Sequence, residues 1–506
     1  MTSNDLIQLP NPLPLDDDTG MNVSSVYKGG SSCTHPEHPG GSSPTDAVPS
    51  LSAEPNLTDD LIHAMGPSLM SLGNWETLQS KDMQALSFHR DIYSPLRSTQ
   101  DSSKSAHTLF LHRAFDREMA LHFLLAVSHN ELAIYMKHGP TPPQESRVHY
   151  RRGSELLQKQ VDLQRTASTD HLNMMLSFLY IYLFWMRRSR IDSQKLHQIS
   201  RAICNYVQLY TLDTVCSLGE LLPPITNLPE LAMTVSDQIL LSRILIYLYD
   251  RDGLCCFFGC GGALANYVNS MPDKRQALWQ ISRIPFLWPM GGLGSVLSLG
   301  LEEDNKYILD VYFELIVLHQ DINCLSQNKV QDPYESDVKL RRRLENLEKV
   351  SMLLTWQVSL SSPHIFQNVS FLSSLVKEQQ PDATPTPLMA YVTTTVFYAL
   401  HVYLDRATTN GFGSTPVSPH TQRALAALLA VAYKTIAAGP VQLLERFQWA
   451  LLIAGVETSD PIHRGWIRAN ISDPGFKDML GVVLMEKGRL GGAIRMTTIR
   501  QLTGGT

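Results

Sequence analysis

The segment from Leu172 to Met186 (LNMMLSFLYIYLFWM) constrains this chain more than any other, because its 15 residues carry no charge and are apolar on nearly every helical face. A helix that crosses a bilayer needs ~20 such residues. This run falls short, is interrupted by Asn173 and Ser177, and ends at Arg187-Arg188-Ser189-Arg190. It therefore predicts a central helix buried on all sides, which only a large shell of further elements can cover.

The flanking sequence supplies that shell as helices. An amphipathic run extends from Phe115 to Lys137 and stops at His138-Gly139-Pro140, and a second runs from Glu145 to Arg165. Asp170 is placed to cap the central helix. Asp192 is placed to cap Ser193 to Tyr210, where Leu196, Ile199, Ile203 and Val207 recur at three- and four-residue steps. After Pro223, Pro224 and Pro229 the pattern resumes from Val235 to Tyr249, loosens between Gly253 and Gly300, and returns on Ile308, Val311, Tyr312, Leu315, Leu318, Ile322 and Leu325. Another helix is expected from Asp337 to Leu360, and the closing set comprises Leu388 to Asp405, a loop from Thr408 to Pro419, and Gln422 to Ala438. The last helices follow Gly439-Pro440, Asp460-Pro461 and Asp473-Pro474, since proline fits a first helical turn. No strand-like alternation competes, so the expected fold class is all-α: one large multi-helix domain over residues 61–506.

Residues 1–60 differ in kind. They are rich in Ser, Pro, Gly and Asp, with Lys28 facing nine acidic residues, and are expected to form a disordered acidic tail. The mixed stretch Leu6 to Leu15 ahead of Asp16 has the character of an activation segment or of a solvated tail. A formal net charge of -6 argues against general attraction to nucleic-acid phosphates. The seven cysteines, Cys33, Cys204, Cys216, Cys255, Cys256, Cys260 and Cys324, form no disulfide framework, and Met1 to Asn11 shows no leader pattern; both features suit a reducing compartment.

Catalytic and metal motifs are sparse. Glu118, His122 and His129 fall on one helical face, but without HExxH or a paired carboxylate–histidine repeat the expectation is no metal. Cys255, Cys256 and Cys260 have no structural-zinc spacing and read as buried thiols. Gly291-Gly292-Leu293-Gly294 lacks a phosphate-loop setting, while Asp59-Asp60 and Glu302-Glu303-Asp304 do not make a metal–diphosphate pair. No GxSxG elbow is present. The basic run Lys339-Leu340-Arg341-Arg342-Arg343 reads either as an import or nucleic-acid patch or as a solvated face balanced by Glu345 and Glu348. The resulting expectation is a non-enzyme with no catalytic residues, no cofactor and no metal.

The stretch Trp449 to Asp460 (WALLIAGVETSD), running into Pro461-Ile462-His463-Arg464-Gly465-Trp466-Ile467, resembles the closing signature of the fungal-specific transcription factor regulatory domain, the helical region of Zn2Cys6 factors. Ala85 to Leu96 (ALSFHRDIYSPL) is similar to an opening motif of that domain; Met119 to Glu131, Tyr150 to Leu156 and Thr169 to Trp185 resemble its first helices. The resemblance covers about residues 75–475. It departs at Ala450, where the family commonly has proline. From the residues themselves, Trp449 and Trp466 are core anchors and Gly455 allows close helix approach. The resemblance implies a fungal source, a nuclear location and a transcriptional regulator, with specialised metabolism as one setting. The first sixty residues hold only Cys33, so a zinc cluster is not expected here. The chain would then act as a co-regulator through protein partners, a DNA-binding transcription factor foremost, with indirect DNA association, no membrane, and homo- or heterodimer formation. The alternative is an all-α enzyme or ligand-binding protein of a biosynthetic pathway that reuses this scaffold.

Overall fold

Carboxylates open the helices at the centre of the fold. Asp170 accepts from the Asn173 N–H and Asp192 from the Lys195 N–H, each satisfying an orphan donor of a first turn. The computed structural model describes residues 79–96, 105–139, 141–163, 170–188, 190–216, 234–284, 303–359, 388–408, 411–439 and 441–504. The expected tail at 1–60 and the Gly291–Gly294 stretch lie outside these residues.

The chain order is α1 (Ser80–Phe88), extended through a π turn at His89–Tyr93, then α2 (Ala106–Phe115), α3 (Glu118–Tyr135), α4 (Gln144–Leu163), α5 (His171–Met186) and α6 (Ser193–Leu209). There follow α7 (Val235–Phe257), α8 (Ala263–Asn269), α9 (Pro272–Ser282), α10 (Glu303–Ser326) and α11 (Pro333–Ser359). The closing set is α12 (Leu388–Thr408), α13 (Pro419–Ala438), α14 (Glu445–Glu457), α15 (Pro461–Asn470), α16 (Pro474–Arg489) and α17 (Met496–Leu502). The fold is all-α. Among the described residues the one β pairing is an isolated bridge between Phe412 and Ile494.

The apolar run became α5, whose residues from Leu172 to Phe184 are buried apart from Asn173. Helices α3, α6 and α7 pack around it, and α10, α12, α13 and α14 extend the same layer. One continuous apolar cluster runs from Leu86 to Ile499. No helix of the described residues is long and apolar enough to cross a membrane. Leu179 is fully buried in this cluster, so Leu179→Asp is expected to cost about 4 kcal/mol or more, as an unpaired charge in a core does. Leu179→Met should cost under about 1.5 kcal/mol. Urea denaturation of the two variants checks this; equal midpoints would contradict the burial.

Several expected boundaries moved, among them the following. The segment read as loose from Gly253 continues as helix to Phe257, because the Gly253 carbonyl accepts from Asn323 Nδ2 at 2.8 Å and α10 packs against it. The chain then turns at Gly259, Gly261 and Gly262, all with positive φ. Buried Asp252 accepts from the N–H groups of Gly262 and Ala265, both at 2.8 Å, and so starts α8. The run read from Phe115 to Lys137 is a helix that begins only at Glu118, because Asp116-Arg117 separates it from a preceding helix, Ala106–Phe115, which Ser105 caps. Asp460-Pro461 and Asp473-Pro474 start helices as the sequence predicts, whereas a short 3-10 turn, Val441–Leu443, follows Gly439 before α14 begins at Glu445.

Candidate functional site

Buried charge is concentrated where the closing helices meet the first ones. Arg187, directly after α5, donates Nε and Nη2 to both oxygens of Glu131 on α3, at 2.7 and 2.6 Å, and Nη1 to Asp473 Oδ2 at 2.5 Å. All three side chains are essentially inaccessible. Burial opposes the arginine's charge, but Glu131 and Asp473 overcome it and hold its pKa well above the ordinary value. Asp473 also caps α16 through the Phe476 N–H, and Gln448 on α14 accepts from the Ser472 and Asp473 N–H groups.

Two similar joints flank it. Arg446 on α14 pairs with Asp250 on α7 and donates Nη1 to His319 Nδ1 on α10 at 2.7 Å. Arg406 on α12 grips Glu457 at 2.6 and 3.0 Å, and Glu457 also accepts from the Gly413 N–H. Between them Trp449 is fully buried, 4.2 Å from the His319 ring and 5.8 Å from that of Phe257. Gly455 lets α14 approach closely: a Cβ there would stand 3.0 Å from Leu480 and 3.1 Å from Ile467, so those side chains would have to give by a few tenths of an ångström. Trp466 is half-buried and stacks on Tyr433 at 3.8 Å. The signature residues are thus packing and joint residues.

A second cluster also involves α3, through His129, two residues before Glu131. Asp82, on the first turn of α1, accepts at Oδ1 from His129 Nε2 on α3 at 2.8 Å and from His149 Nε2 on α4 at 3.0 Å. Its Oδ2 accepts from the Gln79 N–H at 3.0 Å, which closes the helix start. Burial alone would push this carboxyl up; hydrogen bonds from the two imidazoles and Gln79 hold it well below the carboxylate range. His149 Nδ1 meets His122 Nδ1 at 2.9 Å, and burial together with the neighbouring His149 pushes His122 down to about 4. Lys81 and Glu145 pair alongside and tie α1 to α4.

Of the face Glu118, His122 and His129, the fold brings only the histidines to this cluster; Glu118 turns outward to Arg152 at 3.3 Å. Asp82 and His149 are the partners the sequence reading missed. They are 47 and 67 residues apart from their mates in the Asp82–His129 and Asp82–His149 pairs, so no local spacing marks them. Cys255, Cys256 and Cys260 are buried beside Tyr182 and Gln320, and burial raises the Cys255 and Cys256 thiols. In the basic run, Leu340 is core, Arg341 binds Asp337 and Asp405, and Arg343 binds Asp321 and Glu314, leaving Lys339 and Arg342 outward. Asp337, Asp405, Asp321 and Glu314 thus balance the run's arginines, alongside the expected Glu345 and Glu348. No known protein family, curated protein or solved structure matches the chain.

Proposed function

We propose that the chain is a transcriptional regulator or co-regulator of the fungal regulatory-domain type, working in the nucleus through protein–protein contacts and reaching DNA through a DNA-binding partner. The observation that carries this reading is the joint at Arg187. The segments that resemble the family are widely separated along the chain, yet Glu131 at the end of one, Arg187 behind another, and the helix after the closing signature meet in a single buried ion cluster, with Arg187 and Asp473 286 residues apart. That supports reading the separate short similarities as parts of one domain signature rather than as chance apolar runs. The packing roles of Trp449, Gly455 and Glu457 fit a scaffold that presents surfaces to partners.

Deleting the gene is expected to shift transcript levels of a coherent gene set. Affinity purification of the full chain from nuclear extract should recover a protein with its own DNA-binding module, and chromatin association of this chain should vanish when that partner is removed. Unchanged transcripts with accumulation of one metabolite would overturn the reading in favour of a pathway enzyme.

A further inference from the structure

We propose that Asp82, His129 and His149 form a binding site for a divalent transition-metal ion of the zinc class, clasped between α1, α3 and α4. The donor set is two imidazole nitrogens and one carboxylate oxygen, the borderline N/O set that zinc accepts with water in a fourth position. Their ligand atoms already converge, all lying within 4.8 Å of one another, and the three residues are buried or nearly so. A tetrahedral ion with bonds of 2.0–2.1 Å spaces its ligands at about 3.3 Å. The two Asp82–imidazole separations, 2.8 and 3.0 Å, need to widen by only about half an ångström to admit the ion between them.

Three features distinguish the cluster from an ordinary buried hydrogen bond. Both imidazoles aim the same nitrogen, Nε2, at the same carboxylate oxygen. The three donors come from three helices, so the point of convergence is built by the tertiary fold and not by one capping motif. The far nitrogen of one candidate ligand is itself held, His149 Nδ1 by His122 Nδ1 at 2.9 Å, as outer-shell partners of metal-bound histidines do.

The proton balance closes with neutral rings. Without metal, His149 Nε2–H donates to Asp82, and its Nδ1 accepts from His122 Nδ1–H. With metal on Nε2, the His149 proton resides on Nδ1 and donates to His122 Nδ1, whose own proton is carried on Nε2. His129 likewise shifts its proton to Nδ1, so no net proton is lost from the imidazoles. This site is separate in place and chemistry from a thiolate zinc cluster.

The test uses untagged full-length protein stripped with chelator and then titrated with zinc chloride by calorimetry, with metal content measured after gel filtration. One zinc per chain is expected, with a rise of several degrees in Tm on loading, and cobalt(II) should give the visible absorption of a tetrahedral N/O site. His129→Gln with His149→Gln keeps amide donors for Asp82, so it is expected to fold yet lose the zinc, the Tm rise and the cobalt band. His122→Phe should weaken zinc roughly tenfold or more, while exposed His197→Ala should change nothing. Absence of stoichiometric zinc in the wild type, or unchanged uptake by the double-glutamine variant, which would assign the metal to the thiols or another site, overturns the proposal. A folded double variant by circular dichroism keeps loss of metal distinct from loss of fold.

Discussion

Arg187→Met is expected to lower the free energy of unfolding by about 3–5 kcal/mol, measured by urea denaturation near neutral pH. The magnitude follows from what the substitution leaves behind. Removing one member of a buried ion cluster strands its partners, and that stranding, more than the lost attraction, sets the cost. Here Glu131 and Asp473, both buried, would lose the guanidinium that lies between them. A domain of ordinary stability holds only about 5–15 kcal/mol in total, so the variant should lie close to its unfolding limit. The pH dependence gives a second check. In the variant the two buried carboxyls lose the arginine's attraction, so burial raises their folded-state pKa values above the unfolded value of about 4. Groups raised in this way contribute stability below the unfolded pKa and lose it as pH increases, so the deficit should widen from about pH 4 toward pH 8. Combining Arg187→Met with Glu131→Leu and Asp473→Ser should recover most of the loss, since serine keeps the α16 cap. A deficit that is the same at pH 5 and pH 8 would count against stranded carboxyls as its cause.

The helices were readable because their signals are local. Asp170, Asp192, Asp460 and Asp473 each sit one or two residues before an apolar-periodic run, and each accepts from an N–H of the first turn. The segment around Gly253 was unreadable for the opposite reason. Glycines and cysteines carry no helical signal of their own, and what keeps that stretch helical is Asn323, 70 residues away. Likewise nothing within the run Lys339–Arg343 announces that Asp321 and Asp405, on other helices, neutralise two of its arginines.

The site was legible only in half. His122 and His129 stand out because helical spacing puts them on one face, whereas Glu118 shares the spacing and points elsewhere. Asp82 carries a local signal as the acidic third residue of a helix, yet that signal explains only its Oδ2 contact with Gln79. Its Oδ1, which gathers two imidazoles, depends on how α1 docks against α3 and α4, and no pattern along the chain encodes that docking. Glu457 is a parallel case: it lies within the stretch Trp449 to Asp460, but its role as the buried anchor of Arg406 and the Gly413 turn is visible only in three dimensions.

Ending the chain after Ala438 should abolish the fold altogether rather than trim its edge. The segment from Val441 onward includes Trp449, Phe447, Leu451 and Ile453, each fully buried in the common core, so its loss opens that core along the length of α14. The broken ion pairs add to the lost area. Truncation removes Arg446 from Asp250, Glu457 from Arg406 and Asp473 from Arg187; Arg187 keeps Glu131 and Asp250 keeps Arg251, whereas buried Arg406 loses the carboxylate that grips it. At about 3–5 kcal/mol for a stranded buried charge, the loss at Arg406 adds a large fraction of a typical domain's stability to the cost of the opened core. Helix α17 goes as well, and with it Arg500, which donates to the Phe257 and Ser326 carbonyls and to the Tyr403 hydroxyl. The expected product is a chain with no cooperative thermal transition, exposed apolar surface that binds a hydrophobic dye, and poor soluble recovery. Because the joints are mutual, supplying residues 439–506 as a separate fragment should restore a cooperative transition if the two pieces can still pair. A truncated chain that melts cooperatively by itself would mean that α1–α13 form an independent core, and that the closing helices are an appended module rather than the part that completes it.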